Sequence, residues 1–380
     1  MPVTRELPTS ETADLLELAR QLADRELRPR AAEAERAGVY PRELMRTVGR
    51  AGLLGLPFPA EYGGGGVNYE TYLQVLEELA AGWFTVALSV SVHTLSCFPV
   101  VAHGTPEQRK RWLPDMLGGE QLGAFCLSEP NAGSDAAALS ARALRDGPDY
   151  VVTGTKAWIT HAGQADFYTL FVRTEDNAIS CLLADAATPG LLPQPTERKM
   201  GLTASPTAQV VLDRARVPAE RLIGAEGHGL QVALSALHSG RLGIAACAIG
   251  VAQAALDYAT DYVRHRRQFG RPVIEFQGLS FLLADAATAV EAGRSLYLRA
   301  ARLRDAGLPY ETQAAMAKLF CTDTAMRVTT DAVQLLGGAG YVEDHPVERW
   351  MREAKAMQIF EGTNQIQRVI IARSLTGNPA

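Results

Sequence analysis

The sequence has few of the patterns that usually announce a chemistry. None of its seven histidines (His93, His103, His161, His228, His238, His265, His345) stands in HExxH or pairs with another His or Cys at ligand spacing, so no metal site is expected. No GxSxG elbow marks a serine hydrolase. No GxGxxG follows a strand and opens a helix, which removes a Rossmann unit. The glycines of EYGGGG (61 to 66) lack phosphate-loop spacing and have no Lys-Ser/Thr behind them, so they read as a turn or mobile loop. The five cysteines (Cys97, Cys126, Cys181, Cys247, Cys321) contain no CxxC and suit reduced thiols. Neither charge sign dominates. A net charge of -5 and a pI near 5.9 give no electrostatic reason to expect nucleic acid or an anionic membrane as partner. No apolar run reads as long enough to span a bilayer, and the N-terminus lacks a signal-peptide pattern. The expectation is a cytoplasmic protein, or an organellar one whose transit peptide has been removed.

What is present is ordinary globular composition, 47% hydrophobic and 21% charged, in three zones. Residues 1–120 read as helices: Leu15, Leu18 and Leu22 share a helical face, Pro41 suits a helix start and Gly52 a stop. TPEQRKRW carries a capping box, Thr105 with Gln108 three positions on and Pro106 between. Residues 121–225 change to short β-branched and aromatic runs separated by turn residues, the signature of a β domain. Residues 226–380 return to long helices of low charge; Phe276, Leu279, Leu283, Ala286, Val290, Gly293, Tyr297 and Ala300 recur every three or four positions, as in a bundle. The predicted architecture is α+β: a helical domain, a middle β-barrel-like domain and a C-terminal four-helix bundle.

Five stretches offer chemistry beside a plainer structural role. In CLSEPNAGSD a strand runs out into hydroxyls and free amides, which suits polar ring edges or phosphates, or simply a capped turn. In GTKAWIT, Trp158 and Thr160 share a strand face, a flat ring beside a hydroxyl, suited to a planar heterocycle or to ordinary packing. RHRRQFG places basic residues at a helix C-terminus, where they favour the helix dipole or clamp a pyrophosphate. QLLGGAG ends a helix in paired glycines, a C-cap or a close approach to a ligand. In MQIFEGTNQIQRVII, Glu361 follows Ile359 and Phe360 in a run built for burial, so its carboxylate must be paired or raised in pKa.

These stretches occur together and in a fixed order. With RRQFGRPVIEFQGLSFLLAD and AVQLLGGAGYVEDHPVERWMREAK they resemble the acyl-CoA dehydrogenase flavoproteins over nearly the whole chain, to about Arg373. The resemblance implies noncovalent FAD, a homotetramer built as a dimer of dimers, and electron transfer to an electron-transferring flavoprotein. It implies that Cys126, Leu127, Ser128 and Ser134 line the flavin and the pantetheine–pyrophosphate region of the substrate. Trp158 would pack on the isoalloxazine, with Thr160 toward its N5 edge. Arg266, Gln268 and Phe269 would reach the FAD of a neighbouring subunit, and Gln334, Gly338, Thr363 and Gln365 would complete that site across the interface.

Glu361 matches the catalytic base of the family. Its implied task is removal of the proton alpha to the thioester while hydride leaves the beta carbon for the flavin, with Gly362 leaving room beside the thioester. Some branches carry the base on the first long helix of the bundle, where ALSALHSGRLG has no Asp or Glu and Gly240 takes the matching position. That places the chain nearest the short- and medium-chain branch. Arg241 matches an arginine near that site, or serves as a helix salt-bridge partner. His238 departs from the family pattern, standing where many members have an Asp that contacts CoA, which brings in carrier-protein thioesters beside acyl-CoA. Ser91, Leu95 and Phe98, with Phe360, would line the acyl pocket, Phe98 shortening it toward short or branched chains. A flavin oxidase or monooxygenase, or a non-enzymatic homologue, are the other readings on this fold.

Overall fold

The structure is a computed structural model that describes Val3, Arg5 and residues 7–175 and 178–377. The first helix starts where the Thr9 hydroxyl accepts the Thr12 amide. Helix α1 (Ser10–Leu22) widens into a π-helical turn (Ala23–Leu27) and continues as α2 (Arg28–Ala37), which stops at left-handed Gly38. Then come α3 (Arg42–Arg50), entered through Pro41 and followed by left-handed Gly52, α4 (Tyr69–Gly82), α5 (Phe84–His103) and α6 (Pro106–Leu117). The capping box at the start of α6 is formed: Thr105 Oγ1 accepts the Gln108 amide, and the Gln108 side chain accepts the Thr105 amide at 2.9 Å.

Two sequence expectations need correction or narrowing here. EYGGGG is a pinned turn and not a loose loop: the amides of Gly64, Gly65 and Gly66 donate to the carbonyls of Pro59, Gly55 and Phe58. Also, two runs are long and apolar enough to cross a membrane, Phe84–His103 and Gly229–His265. Most of each is buried inside the protein, 89% and 83% of the apolar window, which is how core helices of a large fold behave.

The middle segment holds β1 (Gly123–Cys126), β2 (Arg142–Asp146), β3 (Asp149–Thr160), β4 (Phe167–Arg173), β5 (Ile179–Asp185), β6 (Leu191–Pro193), β7 (Thr207–Pro218) and β8 (Leu222–Ile223). They form one sheet in the order β6-β7-β3-β2-β4-β5-β8, with β1 parallel to β4. The long β3–β7 pair slips register between Lys156 and Ile159, a bulge that puts Trp158 in left-handed backbone at φ 62°.

Helix α7 (Gly229–His265) opens the last segment and ends at a small hairpin of β9 (Arg267–Gln268) and β10 (Arg271–Pro272). Then follow α8 (Gln277–Asp305), α9 (Glu311–Leu336), α10 (Val347–Met357) and α11 (Asn364–Thr376). The helices on either side of the sheet share one core: Leu73, Leu76 and Leu79 of α4 cluster with Ile249 of α7, Val290 of α8 and Ala325 of α9. A second core lies in the sheet around Val152, Leu170, Leu182 and Val210, and a third joins α5 and α6 to the sheet through Cys97, Leu113, Phe171 and Leu183. All five cysteines are buried free thiols.

The central helices touch through small residues. A Cβ on Gly250 of α7 would stand 2.2 Å from the Glu77 carbonyl oxygen of α4. Glu77 is itself buried. Burial alone would raise its pKa, but the guanidinium groups of Arg5 and Arg294 outweigh that and hold it at about 2. Gly250→Val is expected to force α4 and α7 apart and lower stability by about 2 kcal/mol. A thermal melt unchanged from the parent would show that the contact is slack.

Candidate active site

Between the last turn of α10 and the Thr363 cap of α11, the chain reverses direction through two successive left-handed residues, Glu361 at φ 54° and Gly362 at φ 90°. Glycine adopts this backbone freely, whereas a glutamate does so only when its surroundings hold it there. The turn is held from several sides. The Asn364 amide donates to the Gln358 carbonyl at 3.0 Å, and the Gly362 carbonyl accepts from Gln367 Nε2 at 2.9 Å and from Lys318 Nζ of α9 at 2.8 Å. The left-handed turn aims the Glu361 side chain inward. Both of its carboxyl oxygens are shut off from solvent and have no hydrogen-bond partner among the described residues.

Gly240 of α7 lies directly against this carboxyl group: a Cβ there would stand 2.4 Å from Oε2 and 3.2 Å from Leu95 Cδ1. The next residue, Arg241, is buried, and its Nε and Nη1 lack hydrogen-bond partners among the described residues. Lys318, also buried, completes a group of one carboxyl and two cations. Burial pushes the Glu361 pKa up to about 7, even with Lys318 and Arg241 favouring its charged form. Burial likewise lowers the Lys318 ammonium to about 7, with Glu361 resisting and Arg241 adding to the fall. Burial brings Arg241 below its ordinary basicity, against the pull of Glu361. A carboxyl group poised near neutrality, dry and unpaired, is equipped to take or give a proton at a bound molecule.

A cavity opens beside Gly240, lined by Ser91, Thr94, Leu95 and Phe98 of α5 together with Tyr69 and Arg304. Ser91, Leu95 and Phe98 were expected there. Thr94 was not; its hydroxyl is buried. The Arg304 guanidinium lies 3.8 Å from the Tyr69 ring centre, and its Nε donates to Ser239 Oγ at 3.2 Å. Tyr310 adds a hydroxyl 3.1 Å from the same Ser239 oxygen. These residues come from distant elements with no shared motif, and only helical facing could have suggested them. Lys318 did leave a signal: it stands on the Ala314, Cys321, Ala325 face of α9, all buried. Phe360 is half-buried against the helical core. His238 is half-buried too, its imidazole kept below ordinary basicity by burial and then by Arg241.

The second group of expected residues gathers at the sheet. Lys156 Nζ bonds the Leu127 carbonyl and Glu129 Oε1, the latter at 2.8 Å, and the Ala157 amide donates to the Ser128 carbonyl at 2.9 Å. This fastens Leu127 and Ser128 beside the Trp158 bulge. Trp158 is 64% exposed, an unusual state for a large aromatic fixed in left-handed backbone, and its ring offers a flat face for a planar ligand. Thr160 is partly open; Cys126 is wholly inside the sheet core, so only its backbone can face a ligand, and Ser134 lies on the open turn beyond. Arg266, Gln268 and Phe269 sit on the exposed tip after α7, with Phe269 93% exposed. Gln334, Gly338 and Gln365 are exposed as well, while Thr363 caps α11 by accepting the Ile366 amide. One chain therefore brings together Glu361, Gly240, Arg241, Leu95 and Phe98, and leaves the tip and the end of α9 bare. Among the described residues, no three His, Cys, Asp or Glu side chains form a metal-holding group.

The comparisons agree along the whole chain. Models of the acyl-CoA dehydrogenase N-terminal, middle and C-terminal domains match residues 9–120, 124–215 and 227–376. An acyl-CoA dehydrogenase of Bacillus subtilis is 41% identical over 374 residues, covering 97% of this chain and 99% of the relative. A short-chain-specific acyl-CoA dehydrogenase of Clostridium acetobutylicum is 40% identical over 369 residues, covering 96% and 97%. The solved butyryl-CoA dehydrogenase of Megasphaera elsdenii superposes with a TM-score of 0.95 at 38% identity, covering 98% of this chain and 100% of that one.

The contact between Gly240 and the carboxyl group can be tested structurally. In Gly240→Ala the Glu361 carboxyl must retreat about 1 Å to reach ordinary van der Waals contact. A crystal structure with the carboxyl unmoved would mean that α7 yields instead.

Proposed function

The chain belongs to the acyl-CoA dehydrogenase family, and on that premise we propose that it oxidises a short or branched acyl-CoA to the trans-2-enoyl thioester, with Glu361 as the base. The carrying observation is the Glu361 carboxyl group, solvent-free and unpaired beside a cavity bounded by Gly240, Leu95 and Phe98.

The family is FAD-dependent. The residues present fit that cofactor: the exposed Trp158 face, with Leu127 and Ser128 held beside it, would receive the ring system, Thr160 lying next in the strand. Arg266, Gln268, Phe269, Gln334, Gly338, Thr363 and Gln365 would hold it at a subunit boundary, Ser134 serving the pantetheine–pyrophosphate arm of the substrate. Bound FAD supplies the acceptor for the hydride that leaves the beta carbon.

The chain's own part is proton removal and charge stabilisation. An ionised Glu361 takes the alpha proton, and the dry surroundings that raise its pKa also make it the stronger base. Negative charge then grows on the thioester oxygen. Among the described residues the Glu361 amide has no acceptor, so it is available to donate to that oxygen. Phe98 and Leu95 line the cavity and would shorten it toward short or branched chains, and Gly362 would keep bulk away from the thioester. His238 and Arg241 of α7 would face the substrate. We assign the outgoing electrons to an electron-transferring flavoprotein and the assembly to a homotetramer, in which exposed Phe269, Phe281 and Tyr341 would be covered.

Glu361→Gln is expected to keep FAD and bind the thioester yet lose flavin reduction by about a thousandfold. Normal bleaching by that variant would remove the base assignment. In the parent protein the rate should rise as pH climbs through about 7, because only the deprotonated carboxylate is a base. A panel from butyryl- and isobutyryl-CoA to palmitoyl-CoA, added anaerobically, should bleach the flavin band at the short end. If no member bleaches it, the substrate is a carrier-tethered thioester or one of another kind. Arg266→Ala is expected to retain less FAD after gel filtration; parental flavin occupancy would argue against a clamp from that tip.

A further inference from the structure

One buried cation has no part in the proton transfer itself. Lys318 stands on the inward face of α9 among Ala314, Cys321 and Ala325, and is fully buried. An ammonium group placed there is costly unless its three donors are met. It bonds two neutral acceptors, the Gly362 carbonyl at 2.8 Å and Asn364 Oδ1 at 3.0 Å. Asn364 is tied in turn to α9, its Nδ2 donating to Thr322 Oγ1 at 2.9 Å and to Asp323 Oδ1 at 2.7 Å, while Gln358 Nε2 reaches the same Asp323 oxygen at 2.6 Å. The loop joining α10 to α11 is thus fastened to one helix at both of its ends.

Resting on the reading of Glu361 as the base, we infer that Lys318 is a positioning residue: it clamps the left-handed turn that aims Glu361 into the cavity, and it faces that carboxylate with a positive charge without pairing to it. The turn needs the clamp because residue 361 is a glutamate in glycine-like backbone. The charge matters because the carboxyl group is dry, and nearby cations then decide whether it is ionised at neutral pH. The charged and titratable groups around Glu361 are Lys318 of α9, Arg241 and Cys247 of α7, and Tyr69 and Tyr72 of α4; around Lys318 they are Glu361, Arg241 and Asp323. Among the described residues, Lys318 and Arg241 are the groups that favour the ionised base. Of these two, Lys318 is the one bonded to the turn. A direct ion pair would quench the base, whereas an ammonium held on neighbouring neutral acceptors supports its charge and leaves its oxygens free.

The test is anaerobic single-turnover flavin reduction by butyryl-CoA across about pH 5.5 to 9, on FAD-loaded protein, with flavin content and thermal melting recorded for each variant. Lys318→Gln keeps a donor and loses the charge; its ascending limb should move up by about one pH unit, so that alkaline pH recovers much of the lost rate. Lys318→Arg keeps the charge across the whole pH range with altered geometry, so its limb should not rise above the parent's, while the plateau falls about tenfold. Lys318→Met removes both and should show both effects; if it does not fold, Gln and Arg still decide. A Gln variant whose limb coincides with the parent's overturns the electrostatic role, and an Arg variant with the parent's plateau overturns the clamp. If Glu361→Gln itself reduces flavin normally, the base assignment fails first; if Glu361→Gln is inert and the Lys318 profiles are parental, only the present inference fails.

Discussion

A carboxyl group kept dry and unpaired is the constraint around which this fold is arranged. Water would hydrate Glu361 and lower its basicity, and a bonded cation would do the same more strongly. The structure avoids both. It closes the group off with Gly240 of α7, Leu95 of α5 and the left-handed turn itself, and it keeps Lys318 and Arg241 close enough to matter but bonded elsewhere or not at all. Leaving a polar group in this state costs stability, of the order of several kcal/mol for an ion. That cost is sustainable because the surrounding helices bury so much apolar surface in a single core.

The arrangement needs helices that approach closely, and this explains the many small residues of α7. Gly240 faces the base, Gly243 faces the Ser91 hydroxyl, and Gly250 faces the backbone of α4. The same helix therefore seats the site in its first half and fixes the bundle near its middle. The chain leaves this helical body, forms the sheet, and returns to it, so that the exposed Trp158 face and the buried Glu361 belong to different segments held in register by the third core between α5, α6 and the sheet. On the proposed function, the bundle would supply the proton acceptor and the sheet the face that receives the cofactor.

Much of this was legible in the residues. Helical periodicity and β-branched runs separated helix from sheet, the Thr105 capping box formed as read, and the oddity of a glutamate in IFEGTN pointed to a buried acid. The absence of a carboxylate in ALSALHSGRLG had its physical counterpart, since any side chain at Gly240 would collide with Glu361. Other features were out of reach for definite reasons. Strand alternation places Trp158 and Thr160 on one face but gives no sign of the slip that turns Trp158 left-handed. It also leaves open which way Cys126 points, and that side chain lies in the sheet core. The rim of Tyr69, Ser239, Arg304 and Tyr310 is drawn from α4, α7, α8 and the residue before α9, a meeting that no local pattern encodes. Membrane-length apolarity misleads in the other direction, because a core helix in a large bundle is apolar on every side.

What one chain leaves uncovered is as informative as what it buries. Phe269 is almost fully exposed on a hairpin tip with Arg266 and Gln268, and Gly338 stands in open space at the end of α9. Packing within the chain accounts for little of either: Phe269 meets only the edge of Phe276 among the described aromatic rings, at 6.0 Å, and a side chain at Gly338 would have no near neighbour. Both make sense if the surface is finished by something else. On the proposed assembly, a ligand spanning the boundary between two copies would cover the tip of one and the bare glycine end of the other, and cofactor retention and assembly would then be a single equilibrium, each stabilising the other by mass action.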